Sequence, residues 1–508
     1  MKERSRPRRT QWMLTVLITV TVIATGALLS RFSLVHDLSP GRILSLSTPT
    51  RDLLRTIDEP VRVRYLVDGL LQNTSPRSEQ IYQLLRQYER VLPRYIRVER
   101  IIDPGLSREE LERMGLLVDT VNVGTEEDPQ LEEIFSGVEV RYLDRRVVVP
   151  AIVDAGSVEF NITGAIHSLV QEEPLHVMVV SGGRPERLED EYGALLDELD
   201  QLYRVQAGNA ADLSSSSPDV ILLLGSSDLD PALATAIETS ISRGVSAFLT
   251  VDGIDVRVSE LTGDAVNNAT MEPLLQSLGV AVENVLLLDR ESHLFPAELT
   301  SGEPMVYPPW IRTGQRNIDP DHPLGVRAVP VDFFWPSPIR VFEPESGTNG
   351  PLIVSSPDAW LQAAPFSLNP EDPVALARDR DASTGVYAVS AWTEGVLHED
   401  SRAVVVGDSD FLSNLVYYTD SFPNFDFVKR AVYWLSGNNG LATLSPENVA
   451  VSRMDRIEDP FYRHLTGRIV EILNVLILPV LMCTGVLLSV LRRRARMALP
   501  RKGQVGDE

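Results

Sequence analysis

The sequence predicts an α/β protein: two α/β domains carried between an N-terminal and a C-terminal membrane helix. Three observations lead there. Uncharged apolar runs at 10–30 and 472–491 each adjoin a basic cluster, short apolar strands alternate with amphipathic helices through 173–445, and strands, helices and a hairpin follow one another through 31–172. The expected boundaries are 1–30 for a tail and first span, 31–172, 173–445 with an insertion at 254–380, 446–470 as a juxtamembrane segment, 471–491 for the second span and 492–508 as a basic tail.

The second apolar run, Ile472 to Leu491, is followed at once by Arg492, Arg493, Arg494 and Arg496. About 20 apolar residues make a helix that crosses a bilayer, and basic residues beside such a helix stay on the cytoplasmic side. Lys2, Arg4, Arg6, Arg8 and Arg9 precede the first run in mirror order. Both termini are therefore expected in the cytoplasm, with the body outside the cytoplasmic membrane. Asn474 and Pro479 within the second run are tolerated where a neighbouring helix satisfies the freed polar groups, and they point to a protein neighbour there. Ala24-Thr25-Gly26-Ala27-Leu28 meets a signal-peptidase site poorly, so the first run reads as an uncleaved anchor.

The chain has 508 residues and a formal charge of −24. Setting aside the 11 basic and 3 acidic residues of 1–9 and 492–508 leaves 36 basic against 68 acidic residues, near −32 for the rest. That charge argues against nucleic acid as a partner and against docking flat on anionic lipid. The single cysteine, Cys483, lies in the second span, so no disulfide, cysteine nucleophile or cysteine metal site is available to the body.

In 31–172, Leu53, Leu54 and Ile57 suit one helical face before the alternating strand Val61 to Val67. Ser75 and Pro76 cap and open a helix lined by Ile81, Leu84, Leu85, Tyr88 and Val91. A strand follows at Tyr95 to Ile102, then a short helix with a Ser107/Glu110 capping box. Val138 to Tyr142 and Arg146 to Val149 pair about Leu143-Asp144-Arg145, and a helix runs from Phe160 to Val170. This order fits a thioredoxin-like layer. Without a Cys-x-x-Cys pair only the scaffold is expected, not redox chemistry.

In 173–445, Leu175 to Val180 and Val220 to Leu224 read as strands buried on both faces of a parallel sheet. Between them a helix carries Tyr192, Leu195, Leu196 and Leu199 on one side. Asp230 and Pro231 start another helix, which Gly244 stops, and Val245 to Val251 is a further strand. Such alternation implies a doubly wound parallel sheet. The proline-rich 254–380 is expected to hold a small helix and short strands, since loops so long are rarely structureless. The sheet resumes at Gly385 to Ala391 and Ala403 to Val406, and a last helix carries Phe427, Val428, Ala431, Val432, Trp434 and Leu435.

Two stretches carry a family resemblance. The leader holds Asp37-Leu38, Leu44-Ser45-Leu46-Ser47 and Asp58-Glu59-Pro60-Val61; the tail holds Val404-Val405-Val406-Gly407-Asp408-Ser409-Asp410-Phe411 with Asn414, Asn424 and Trp434-Leu435. The chain resembles the GldG-like auxiliary proteins of gliding-motility ABC transporters, with Leu44 in place of the usual aromatic. The resemblance implies a flavodoxin-like or glutamine-amidotransferase-like second domain without catalytic machinery. It also implies a non-catalytic auxiliary role in an ABC transport system, with a separate permease and ATPase as partners.

Candidate chemistry is sparse. Gly182-Gly183 after a buried strand could cradle a phosphate, but neither Gly-x-Gly-x-x-Gly nor a Walker motif occurs, and a tight turn is the simpler reading. Asp408, Ser409 and Asp410 follow another strand. Ser409 resembles the serine of Gly-Asp-Ser hydrolases, yet the only Asp-x-x-His pair, Asp319 and His322, precedes it. Asp408 and Asp410 could hold a divalent cation only with further oxygen ligands, and capping of a helix near Phe411 is the simpler role. The seven histidines show no pairing suited to zinc, and no cofactor is implied. Trp310 and Trp335 could stack on a ligand, although aromatics among prolines commonly pin an insertion to its host. A membrane-anchored hydrolase using Ser409 or Asp408/Asp410 and a structural envelope scaffold are the alternative functions.

Overall fold

The computed structural model describes residues 45–123, 130–182, 187–258, 260–296 and 304–445. The two expected spans and Gly183 lie outside the described residues. Among the described residues no helix is long and apolar enough to cross a membrane.

The first sheet has the order β2-β1-β4-β3, with β5 also on β4. Its strands are β1 (Val61–Val67), β2 (Ile96–Ile102), β3 (Val118–Asn122), β4 (Leu131–Tyr142) and β5 (Arg145–Val149). β1 runs parallel to β2 and antiparallel to β4. The helices are α1 (Thr48–Arg55), α2 (Gly69–Thr74), α3 (Pro76–Val91), α4 (Arg108–Met114) and α5 (Gly156–Val170). Side chains two apart share a sheet face, so Val61, Val63, Tyr65 and Val67 all turn inward, into one core with Ile81, Leu84 and Leu85 of α3 and Ile162 and Ile166 of α5.

Several local signals act as expected. Ser75 caps α3, and both halves of the Ser107/Glu110 box are present; a further cap not read from the sequence is Ser47, which accepts from Thr50 N at the start of α1. Two details differ. The hairpin turn is Leu143-Asp144 alone, with Leu143 at φ +54° and Arg145 already in β5. β3 is an additional strand that pairs with the first half of β4; only Val118 of its five residues is buried, so it carries no apolar alternation to reveal it.

The larger sheet begins with β6 (His176–Ser181), β7 (Arg204–Ala207), β8 (Val220–Leu224) and β9 (Ser246–Thr250). These four run parallel, connected by α6 (Arg187–Asp200), α7 (Ala210–Ser215) and α8 (Pro231–Ile241). β6 and β8 read as buried strands in the sequence and β9 as a further strand; β7 is an edge strand with no buried residue and gives no such signal. Asp230 accepts from Ala232 N with Pro231 in the first turn of α8.

Residues 254–380 add β10 (Ile254–Arg257), β11 (Thr262–Ala265), α9 (Glu272–Ser277), β12 (Val280–Val282), β13 (Leu286–Leu288), β14 (Ser292–Phe295), β15 (Met305–Arg312), β16 (Asp332–Phe334), β17 (Ile339–Val341), β18 (Thr348–Val354) and β19 (Trp360–Gln362). After them come β20 (Ala388–Glu394), β21 (Arg402–Val406), α10 (Pro423–Leu435) and α11 (Asn439–Ala442). The large sheet runs β12-β17-β20-β21-β9-β8-β6-β7, with β18 on β20.

The expectation of a parallel sheet throughout is corrected here. β21 is parallel to β9, but β20 is antiparallel to β21, and β17 and β12 continue antiparallel. The cause is the connection length: only 395–401 lie between β20 and β21, whereas a parallel crossover needs a dozen residues or more. Three strands of the 254–380 stretch thus extend the same sheet.

α10 packs against this sheet through Phe427, Val428, Ala431 and Val432, all fully buried. Its Lys429 is buried between Glu198 of α6 at 3.0 Å and Asp426 at 2.8 Å. Arg430, also fully buried, donates to the carbonyls of Ala442 and Val326 at 2.8 Å each. These two cations fasten α10 to its surroundings through polar contacts that its apolar stripe alone does not announce.

Candidate functional site

In an open α/β sheet the carboxyl ends of the parallel strands are where ligands bind. Four adjacent strands end together here. β6 leads to Gly182, β8 to Gly225, β9 to Asp252, and β21 to Asp408, Ser409 and Asp410.

Gly182 is held by close packing. Its N–H donates to the Gly225 carbonyl at 3.0 Å, and a Cβ there would lie 2.7 Å from that oxygen and 2.9 Å from the Ser227 carbonyl. The amide that a phosphate would need is therefore already engaged. Gly225, at φ +75°, occupies the left-handed region that glycine enters freely. Its own N–H donates to Thr250 Oγ1 at 2.8 Å.

Ser409 is bound to an acid that the sequence reading did not single out. Its N–H donates to Asp252 Oδ1 at 2.6 Å and its hydroxyl to Asp252 Oδ2 at 2.7 Å. A nucleophilic serine needs a base to take its proton and N–H groups aimed at a developing oxyanion. Asp252 accepts the hydroxyl as a base would, but it also takes the Ser409 N–H, which is then not free to stabilise an oxyanion. The available sequence signal was an acid directly after a buried strand, Thr250-Val251-Asp252.

Asp408 is 2 % exposed. Its Oδ2 accepts from Phe334 N at 2.7 Å and its Oδ1 from Phe411 N at 3.3 Å. The single turn of 3-10 helix at Asp410–Leu412 has Ser409 at its N-cap with no side-chain cap bond, so Asp408 accepts from Phe411 N without being the helix cap the sequence suggested. Burial, then the charges of Asp410 and Asp252, push the Asp408 carboxyl well above the ordinary aspartate value. The Tyr192 phenol of α6 is raised by burial and by the same two acids. Among the described residues no group of three or more His, Cys, Asp or Glu side chains is arranged to hold a metal ion.

Trp310 and Trp335 are both buried, at 0 % and 3 % exposure, with ring centroids 5.6 Å apart. Trp310 also meets Phe334 at 5.2 Å and Phe295 at 4.9 Å, and Trp335 Nε1 donates to the Tyr307 hydroxyl at 2.9 Å. They fill the core of the β14-β15-β16 sheet. The chain connects this aromatic cluster to the strand ends through Phe334, whose N–H meets Asp408. His322 lies tilted against Trp392 and meets Trp434 edge to face, and its Nδ1 accepts from Leu324 N at 3.2 Å. A cavity of about 670 Å³ elsewhere, lined among others by Val153, Asp154, Phe422, Asp426 and Ser445, shares no residue with the strand ends.

Comparison with known proteins places residues 175–438 in a family described as an ABC-type uncharacterized transport system. Residues 41–141 match a domain of unknown function, DUF7088. An uncharacterized protein of Borreliella burgdorferi is 20 % identical over 420 residues, covering 78 % of this chain and 80 % of that one. Among solved structures, the mmIFT52 N-terminal domain aligns with TM-score 0.34 and 11 % identity, over 51 % of this chain and 97 % of its own. A ThuA-like protein from Bacteroides uniformis aligns with TM-score 0.30 and 10 % identity, over 54 % and 98 %. Scores this low carry no argument about function. The family match covers more than half of the sequence, and with it the strand ends just described: the chain belongs to the ABC-type uncharacterized transport system family, to which the GldG-like auxiliary proteins are assigned.

Proposed function

We propose that this protein is a non-catalytic auxiliary subunit of an ABC transport system, anchored in the cytoplasmic membrane by spans at 10–30 and 472–491, with its body outside. A separate permease and a separate ATPase are its partners. The second span packs on the permease, and the sheet domains outside dock substrate or another exported component.

The observation that carries the non-catalytic reading is the bond pair between Asp252 and Ser409. It converts the one serine with a hydrolase-like context into a clamp between β9 and β21. The double anchor is supported by the way the described chain ends lie together. A Cβ at Gly440 would sit 3.4 Å from the Cβ of Pro49, so the two ends of the described chain lie near one another.

Purification of the tagged full chain from its native membrane tests the proposal. A multi-span permease and a nucleotide-hydrolysing subunit are expected in the same complex, from wild type and Ser409→Ala alike. Purification of the chain without either would overturn it.

A further inference from the structure

We infer that the open face of the first sheet is a docking surface for an acidic helix of a partner protein. The inference goes beyond the transport reading and does not depend on it.

The register of four strands sets four arginines side by side. Arg62 of β1 is opposite Arg97 of β2 and opposite Arg141 of β4, and Arg141 is opposite Arg146 of β5. All four are exposed. Arg62, Arg141 and Arg146 lie on the face turned away from α3 and α5, because the neighbours Val61, Val63 and Val140 point into the core, whereas Arg97, on the edge strand, turns its guanidinium round to Glu89 of α3. One step along the strands the next row reads Glu99, Arg64 and Glu139.

Like charges directly opposite on a sheet destabilise it, and this row makes three such contacts in succession. Neutralisation from within is incomplete. Glu139, fully buried, is shared by Arg64 at 2.8 Å, Arg141 at 2.8 Å and Arg146 at 3.5 Å. Arg97 reaches Glu89 at 3.3 Å, and Arg62 has no ion pair among the described residues. Two carboxylates, Glu139 and Glu99, set against four guanidiniums, Arg62, Arg64, Arg141 and Arg146, leave net positive charge on one face of a protein of charge −24.

The form of the face selects the partner. Leu66 and Phe135 share it with the arginines, and they are covered by Leu111 of α4 and Leu116. α4 therefore stands on the same surface as a wall beside the row, and a broad flat object such as a bilayer meets the wall first. Strands lie about 4.8 Å apart, so Arg62, Arg141 and Arg146 carry guanidiniums at three successive steps. A helix laid across the strands presents carboxylates at i, i+3 and i+4 about 5–6 Å apart, near the same spacing. Arginine forks take such carboxylates bidentately.

The test uses the full chain in phosphatidylcholine nanodiscs and a labelled helical peptide with glutamates along one stripe in an Ala/Gln background. Its control peptide has the same composition with the glutamates scattered around the helix. The striped peptide is expected to bind at least tenfold more tightly than the scattered one. Arg62→Glu combined with Arg146→Ser should weaken it at least tenfold, Arg62→Lys, which keeps the charge and loses the fork, should weaken it less than that double variant does, and Arg243→Glu, an exposed arginine elsewhere, should leave it within twofold. Equal binding of the two peptides, equal loss in Arg243→Glu, or stronger competition by phosphatidylglycerol vesicles or inorganic polyphosphate than by unlabelled striped peptide would overturn the inference. Urea unfolding of each variant separates loss of binding from loss of fold.

Discussion

Asp252 accepts two hydrogen bonds from Ser409, one from the backbone N–H at 2.6 Å and one from the hydroxyl at 2.7 Å. The two residues lie 157 positions apart in sequence, and the pairing joins the ends of β9 and β21. It is a clamp across the middle of the large sheet, in the place where many α/β proteins keep their chemistry.

Ser409→Ala removes the hydroxyl donor and leaves the backbone bond. A hydrogen bond to a charged group contributes about 1.5–3 kcal/mol, so urea unfolding should show Ser409→Ala destabilised by about 2 kcal/mol. Asp252→Ala removes the acceptor of both bonds and should cost more. Retention of full stability in Asp252→Ala would show that the clamp holds nothing.

The pH dependence of stability follows from two buried histidines. Burial lowers His167 to about 4; burial chiefly, with Arg402 and Arg430 adding and Asp319 opposing, lowers His322 to about 4. A histidine whose folded value lies below its unfolded one contributes stability that is fully present above about pH 6.5 and is lost as pH falls through about 4. Each contributes about 3 kcal/mol at neutral pH by linkage. Between about pH 6.5 and about 4 the two histidines lower the unfolding free energy, against the raised Asp408 carboxyl, which acts in the opposite direction, and His322→Phe, which keeps a ring between Trp392 and Trp434, should remove its share of the histidine contribution. An unchanged slope in His322→Phe would remove this histidine from the acid response.

Lys429 predicts an asymmetry. Burial pulls its ammonium down, but Asp426 and Glu198 outweigh burial and hold it above the ordinary lysine value. Its own side chain is 6 % exposed, whereas Glu198 and Asp426 are 40 % and 23 % exposed, so the acids can turn to water and the lysine cannot. Lys429→Met should cost about 1–2 kcal/mol, because it replaces a buried charge with an apolar chain of similar length. Glu198→Gln with Asp426→Asn leaves the charge buried and should cost about 3–5 kcal/mol. Equal losses in the two variants, read by urea unfolding, would contradict this picture.

What the sequence makes legible is what is local. Ser107/Glu110, Ser75-Pro76 and Asp230-Pro231 announce their helices because capping acts over three or four residues. Val220 to Leu224 announces a doubly buried strand by its unbroken apolar run. β3 and β7 escape because each is mostly exposed, with no apolar alternation to read. The antiparallel turn of β20 was available from the short 395–401 connection, but the surrounding βα alternation hides it. The Asp252–Ser409 clamp and the arginine row depend on strand order and register, which no single stretch records. Trp310 and Trp335 read ambiguously because an aromatic among prolines serves either a binding surface or a core, and only their burial decides.

Protease applied to intact cells tests the double anchor most directly. With the outer barrier opened, segments 31–45 and 446–470 and the body between them should be cut from outside, while a tag after Glu508 stays protected until the cytoplasmic membrane is breached. A body that resists cleavage until that membrane is breached, or a C-terminal tag that is reached from outside, would contradict it.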